Sequence, residues 1–363
     1  MIVHKLYRWS VDQINGRFIS GWCFNRLHKT RPVDITVAAD STVIGRFINS
    51  GYRPDLVDLG LHPNGICAFD FSFPADFDPE SFDQLHLFFD SSRNPLITFD
   101  CGDIELLRPR QPHLVCFMHI PKTAGTSFNS FARRCFDGTR FKTHIERCDA
   151  GQREQAARQA DYLSGHLPLY ELQRLPNITA FDFYSIIREP FAHLHSHLNY
   201  VKRVRPGSRV ESLYTYRHND TVKSLSDKLN TIDFTDPDAI GLFVSRLAGY
   251  ERDFFDNLQT RYFLDYRPET VGQRDLDQAK QNLSRFCSVG LTEAYDAYRD
   301  RFCDDLGLAY QRQDLQSNKS AFYRLFDTSD HMIRDALAPL VMFDLDLYDH
   351  VSRQFWKKTD VQS

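Results

Sequence analysis

Lys122, Thr123, Ala124, Gly125, Thr126 and Ser127 follow one another in the stretch "FMHIPKTAGTSF", where an apolar run gives way to a helical one. Such a set can hold an anion. The lysine brings a point charge, the hydroxyls of Thr123, Thr126 and Ser127 donate hydrogen bonds, and Gly125 lets backbone approach closely. A helix starting near Thr126 or Ser127 adds unpaired N–H groups and the positive end of its dipole. The order differs from the nucleotide loop G-x-x-x-x-G-K-[ST], because the lysine here precedes the glycine. The same residues also read as a plain strand–turn–helix connection with a Thr or Ser cap.

A second stretch, "FYSIIREPFAHLHSHLNYV", repeats the arrangement: an apolar strand ends at Arg188, and Pro190 sits where a first helical turn starts. Arginine offers a planar fork matched to phosphate oxygens. Ser196 falls on the opening turns of that helix, so Arg188 and Ser196 can converge on one anion. Two such loops at one sheet edge suit a ligand with two separated anionic groups. Between them, "DYLSGHLPLYEL" puts His166 at the end of a further strand, where an imidazole can act as a general base. His119 and His144 read as structural. In "HLHSH", His193 and His197 share a helix face and His195 points away. With no H-E-x-x-H and no flanking cysteine pair, no metal is expected.

"HIPKTAGTS" and "REPFAHLHS" together resemble the two cofactor loops of the sulfotransferase family, in the branch of the heparan sulfate 2-O-sulfotransferases and their bacterial relatives. Softer likenesses continue through "NLQTRYFL", "SVGLTEAYDAY", "LQSNKS" and "DLDLYDHVSRQF", so the resemblance runs from Gln111 to Phe355. It implies 3′-phosphoadenosine 5′-phosphosulfate as co-substrate. Lys122, Thr123, Ala124, Gly125, Thr126 and Ser127 would meet its 5′ end, and Arg188 and Ser196 its 3′-phosphate. It further implies His166 as base, Lys122 at the leaving group, and acceptor contacts from Gln259 and Arg261. Two departures stand out: His193 occupies a position where the family often has arginine, and Glu189 one where Asp is common. The expected activity is transfer of a sulfuryl group to a hydroxyl of a glycan. The alternatives are a P-loop nucleotide phosphotransferase, which needs a magnesium-holding Asp, and a glycan-binding protein without activity.

The elements that must position these residues change character along the chain. Residues 1–107 alternate with period two, as in "PVDITVAA" and "CAFDFSF", where Phe69, Phe71 and Phe73 share a face. "GRFISGWCF" places Phe18, Trp22 and Phe24 together in the same way. Short strands between turn signals predict a small β-sandwich, a module resembling those attached to bacterial glycan-modifying enzymes. Its Trp9, Trp22 and Tyr52 are candidates for stacking on sugars or for core. After the Pro- and Arg-rich segment Leu107–Pro112, strands alternate with helical stretches. Residues 111–358 are therefore expected to form an α/β domain with a mainly parallel sheet, P-loop-like.

The 363 residues, 42% hydrophobic and 25% charged, carry a net charge of −4, which argues against general binding to nucleic acid. "VKRVRPGSRV" is a local basic run that reads as a receiver for an anionic glycan or as a solvated loop. No apolar run approaches the ~20 residues that span a bilayer. The N-terminus lacks a secretory h-region, and the 8 cysteines are scattered. A cytoplasmic protein with buried thiols is expected.

Overall fold

The computed structural model describes residues 6–107, 109, 111–204, 220–308 and 325–360. Arg205 and Arg209 of the basic run and the whole of "LQSNKS" lie outside them. The chain divides into two compact units. The first is Met1–Pro112 with Ser130–Phe141 and Gly307–Tyr310, and the second comprises His113–Asn129, Lys142–Leu306 and Gln311–Ser363.

The first unit is built from two four-stranded antiparallel sheets, β1-β2-β6-β5 and β4-β3-β7-β8. The strands are β1 (Tyr7–Asn15), β2 (Phe18–Asn25), β3 (Asp34–Ala39), β4 (Thr42–Ile48), β5 (Gly51–Tyr52), β6 (Ile66–Ser72), β7 (Gln84–Phe89) and β8 (Ile97–Asp100). Alternation buries Ile35 and Val37 of β3, Phe69 of β6, and Leu85, Leu87 and Phe89 of β7 in one core. β2 departs from simple alternation. Ile19 and Cys23 face that core, while Phe24 joins a small second cluster with Leu56 and Cys67, against which Trp22 packs. Both faces of β2 are thus covered. Ser130–Phe141 belongs with this unit partly through Arg133, whose guanidinium forks onto the Asp70 carboxylate at 2.5 Å on each side. Tyr52 and Trp9 are exposed, at 51% and 37%, whereas Trp22 stacks on Phe24.

The second unit is α/β. Its five-stranded sheet runs β10-β11-β9-β12-β13, with β9 (Val115–Met118), β10 (Phe141–Lys142), β11 (Tyr162–Gly165), β12 (Asp182–Ile187) and β13 (Phe286–Leu291). β11, β9, β12 and β13 run parallel to one another. Every residue of β9 is buried, as a strand covered by helices on both faces requires. The chain runs from β9 to β11 on one side and only then to β12 on the other. The order therefore reverses at β9, where open α/β sheets leave a crevice beyond the strand ends.

Register sets that crevice. Met118 pairs with both Gly165 and Ser185, so β9 and β11 end level, while β12 runs two residues further to Ile187. The residues after each strand, starting at His119, His166 and Arg188, therefore emerge at one edge. β9 ends at Met118, and the His119 N–H still bonds the Gly165 carbonyl. Two helices lead away: α1 (Gly125–Ala132) and α2 (Pro190–Lys202). α2 starts with Pro190 in its first turn, and the Glu189 side chain caps it by accepting from the Ala192 N–H at 2.7 Å. Phe191, Leu194, Leu198 and Val201 form its core face.

Candidate functional site

The lysine loop turns sharply. Lys122 and Ala124 both hold left-handed backbone, φ 68° and 66°, around a Thr123 that does not. Alternating handedness turns successive N–H groups toward one concavity, a nest suited to an anion. Neither left-handed residue is glycine, and non-glycine residues in this region are strained conformations that cluster at binding sites. Gly125 serves another purpose than the one expected. It opens α1, and a Cβ there would stand 2.1 Å from Cδ2 and 2.3 Å from Nε2 of His119. The glycine makes room for an imidazole.

Thr123 uses its hydroxyl for a different task from the one expected. Its side chain is fully buried, and its hydroxyl donates to the Ile120 carbonyl at 2.9 Å. That bond closes the turn and uses the hydroxyl's one donor, so Thr123 can donate to an anion only through its backbone N–H. Thr126 and Ser127 are exposed in the first turn of α1, where helix N–H groups lack intrahelical partners.

The second loop docks onto the first. Arg188 Nη1 donates to the Lys122 carbonyl at 3.3 Å, and His193 Nε2 donates to the Pro121 carbonyl at 2.8 Å. The Lys122 ammonium lies 5.1 Å from the ring centre of Tyr200, one helical turn beyond Ser196. Ser196 is half-buried, so α2 sets His193, Ser196 and Tyr200 along the side that meets the lysine loop. His193, which replaces an arginine expected from the resemblance, works as a staple. Burial pushes its imidazole down to about 4, so it is a neutral donor at pH 7.

Gln259 and Arg261 are corrected as well. Both lie on α3 (Leu258–Tyr262), and both are buried. Gln259 Oε1 accepts from the Arg188 N–H at 2.8 Å, and its Nε2 donates to the Arg188 carbonyl at 2.9 Å. The Arg261 guanidinium bonds the Asp253 and Asp256 carboxylates and the Asp256, Pro268 and Glu269 carbonyls. All five of its N–H donors are engaged, so none remains for a glycan. Asp344, on α4 (Met342–Asp360), caps α3 by accepting from the Gln259 and Thr260 N–H groups and the Thr260 hydroxyl. The "NLQTRYFL" and "DLDLYDHVSRQF" segments thus hold the backbone of Arg188.

His166 stands at the end of β11. Its Nδ1 bonds the His119 carbonyl at 2.8 Å, which obliges Nδ1 to carry the proton and leaves the lone pair on Nε2. Its backbone N–H donates to Glu146 Oε2 at 3.0 Å. Burial lowers the His166 pKa, only partly offset by the His119 carbonyl, so the ring is a neutral acceptor at pH 7. The His119 ring lies 4.1 Å away, with Nδ1 buried and unpartnered. Burial would raise Glu146, but hydrogen bonds from His144 and the His166 N–H hold it down to about 2. Among the described residues, His144, Glu146 and His166 are the group of metal-ligating types that comes together; the "HLHSH" histidines do not.

Electrostatically the edge is tuned for negative charge. Burial lowers the pKa of Lys122, and the positive charges of Arg188 and Arg203 lower it further. Cations arranged this closely repel one another, and an anion between them relieves the repulsion. Tyr200 and Glu146 were not among the residues expected from the sequence, whereas Arg203 belongs to the basic run "VKRVRPGSRV". Tyr200 had a signal, its spacing of four from Ser196; Glu146 had none, being 20 residues from His166. Among the described residues, no helix is long and apolar enough to cross a membrane. No family model, curated protein or solved structure matches the chain.

Proposed function

We propose that this protein is a sulfotransferase that moves a sulfuryl group from 3′-phosphoadenosine 5′-phosphosulfate to a hydroxyl of a glycan. One observation carries the reading: the lysine loop, the arginine loop and His166 follow the C-terminal ends of three adjacent parallel strands, with Arg188 bonded to the Lys122 carbonyl. The nest at Lys122–Ala124 and the start of α1 suit the 5′-phosphosulfate. Arg188 and Ser196 suit the 3′-phosphate.

In this mechanism His166 Nε2 takes the proton of the acceptor hydroxyl as its oxygen attacks sulfur. The bond from sulfur to the bridging phosphate oxygen breaks on the opposite side, and Lys122 offsets the charge that grows there. A positioned base contributes about 10²–10⁴-fold to such a step. Fixed cations and N–H groups act where charge develops, without a metal. The first unit, with exposed Trp9 and Tyr52, is a surface for the polysaccharide.

The test is a screen of glycan acceptors with radiolabelled sulfate donor. Wild type labels at least one acceptor, and His166→Ala loses labelling while still binding 3′-phosphoadenosine 5′-phosphate. Equal labelling by His166→Ala refutes the assignment of the base.

A further inference from the structure

His144, Glu146 and His166 each bring a ligand atom within 4.8 Å of the others. They come from different places: the two-residue β10 leads into His144, Glu146 lies in the following short turn of helix, and His166 ends β11. Two imidazoles and one carboxylate, with a fourth position open, are a donor set for zinc and its neighbours rather than for magnesium or calcium.

We propose that these three residues form a binding site for a divalent transition-metal ion. The outer contacts are those a metal site requires. His166 gives Nδ1–H to the His119 carbonyl, which leaves its lone pair on Nε2, and Glu146 Oε2 is fixed by the His166 N–H. Glu146 Oε1 faces His144 Nδ1 at 3.2 Å. Tetrahedral ligands sit roughly 3.4 Å apart, so binding draws the trio inward by about an ångström. His144 has the room, its side chain being 38% exposed. Arg147 must swing aside: its Nε is 3.6 Å from Glu146 Oε1, and its side chain is 56% exposed.

An ion held there engages the His166 lone pair. Resting on the function proposed above, this makes the site inhibitory: a base bound to metal cannot accept the acceptor proton.

The test uses tag-free full-length protein, freed of metal with a chelator and titrated with Co²⁺ in the absence of sulfate donor. The expected result is one bound Co²⁺ per chain, with the intense visible absorption of a four- or five-coordinate ion that Zn²⁺ displaces. His144→Ala and Glu146→Gln should each weaken binding at least tenfold, with unchanged far-UV circular dichroism. No absorption band in wild type, or wild-type affinity in His144→Ala, overturns the site. The readout is independent of the reaction: a protein that binds Co²⁺ and transfers no sulfate keeps this site and sinks the transferase reading. One that transfers sulfate and binds no Co²⁺ does the reverse.

Discussion

Replacing Gln259 with Ala tests how Arg188 is held. The side chain makes two hydrogen bonds, 2.8 and 2.9 Å, to the N–H and the carbonyl of that one residue. Truncation leaves both backbone groups without this partner at a half-buried position. Each such loss costs about 1–3 kcal/mol, so the pair costs roughly 2–6 kcal/mol. Water entering the cavity would bring the loss to the low end of that range. The consequence for binding is separate. With its backbone released, Arg188 no longer holds its fork in place, and about 1.4 kcal/mol of lost preorganisation is a tenfold loss of affinity. Urea unfolding gives the first number, and calorimetric titration of the folded variant with 3′-phosphoadenosine 5′-phosphate gives the second. Gln259→Glu should not rescue, because it sets a carboxylate oxygen against the Arg188 carbonyl. A stability loss under about 1 kcal/mol together with wild-type affinity would refute the reasoning.

Two further outcomes follow from the same geometry. Gly125→Ala drives a methyl into the His119 ring, 2.1 Å from Cδ2, and should cost about 1–3 kcal/mol in thermal or urea unfolding; a neutral effect would contradict the contact. Burial raises the Asp344 carboxyl to about 7 despite its hydrogen bonds from Thr260 and Gln259. Because the folded value lies above the unfolded one, its contribution to stability is full below the ordinary carboxylate range and is lost as pH rises through about 7. Wild type should therefore lose stability across that window relative to Asp344→Asn, measured by urea unfolding; parallel pH curves would contradict this.

The parts of the fold legible in the sequence are those fixed locally. Buried parallel strands are continuous apolar runs, so Val115–Met118 and Asp182–Ile187 announce themselves, and Pro190 marks its own helix start. Contacts between distant residues were not legible. Gln259 reaches Arg188 across 71 positions, and the Arg261 guanidinium is enclosed by carbonyls and carboxylates. On sequence alone both look like polar groups with donors to offer a sugar. β2 misled for a related reason: alternation shows which residues share a face, not that Leu56 and Cys67 cover the second one. In the lysine loop the residue types were readable but their tasks were not. Thr123 closes the turn, Gly125 admits His119, and the left-handed turns fall on Lys122 and Ala124.

The central claim is that the lysine and arginine loops hold one ligand by two separated anionic groups. Calorimetric titration with 3′-phosphoadenosine 5′-phosphate, comparing wild type with Arg188→Ala, measures that directly. The account predicts saturable binding by wild type and a loss of at least tenfold in the variant, since a charge-assisted contact contributes about 1.5–3 kcal/mol. Wild type that binds this nucleotide no better than Arg188→Ala would contradict it.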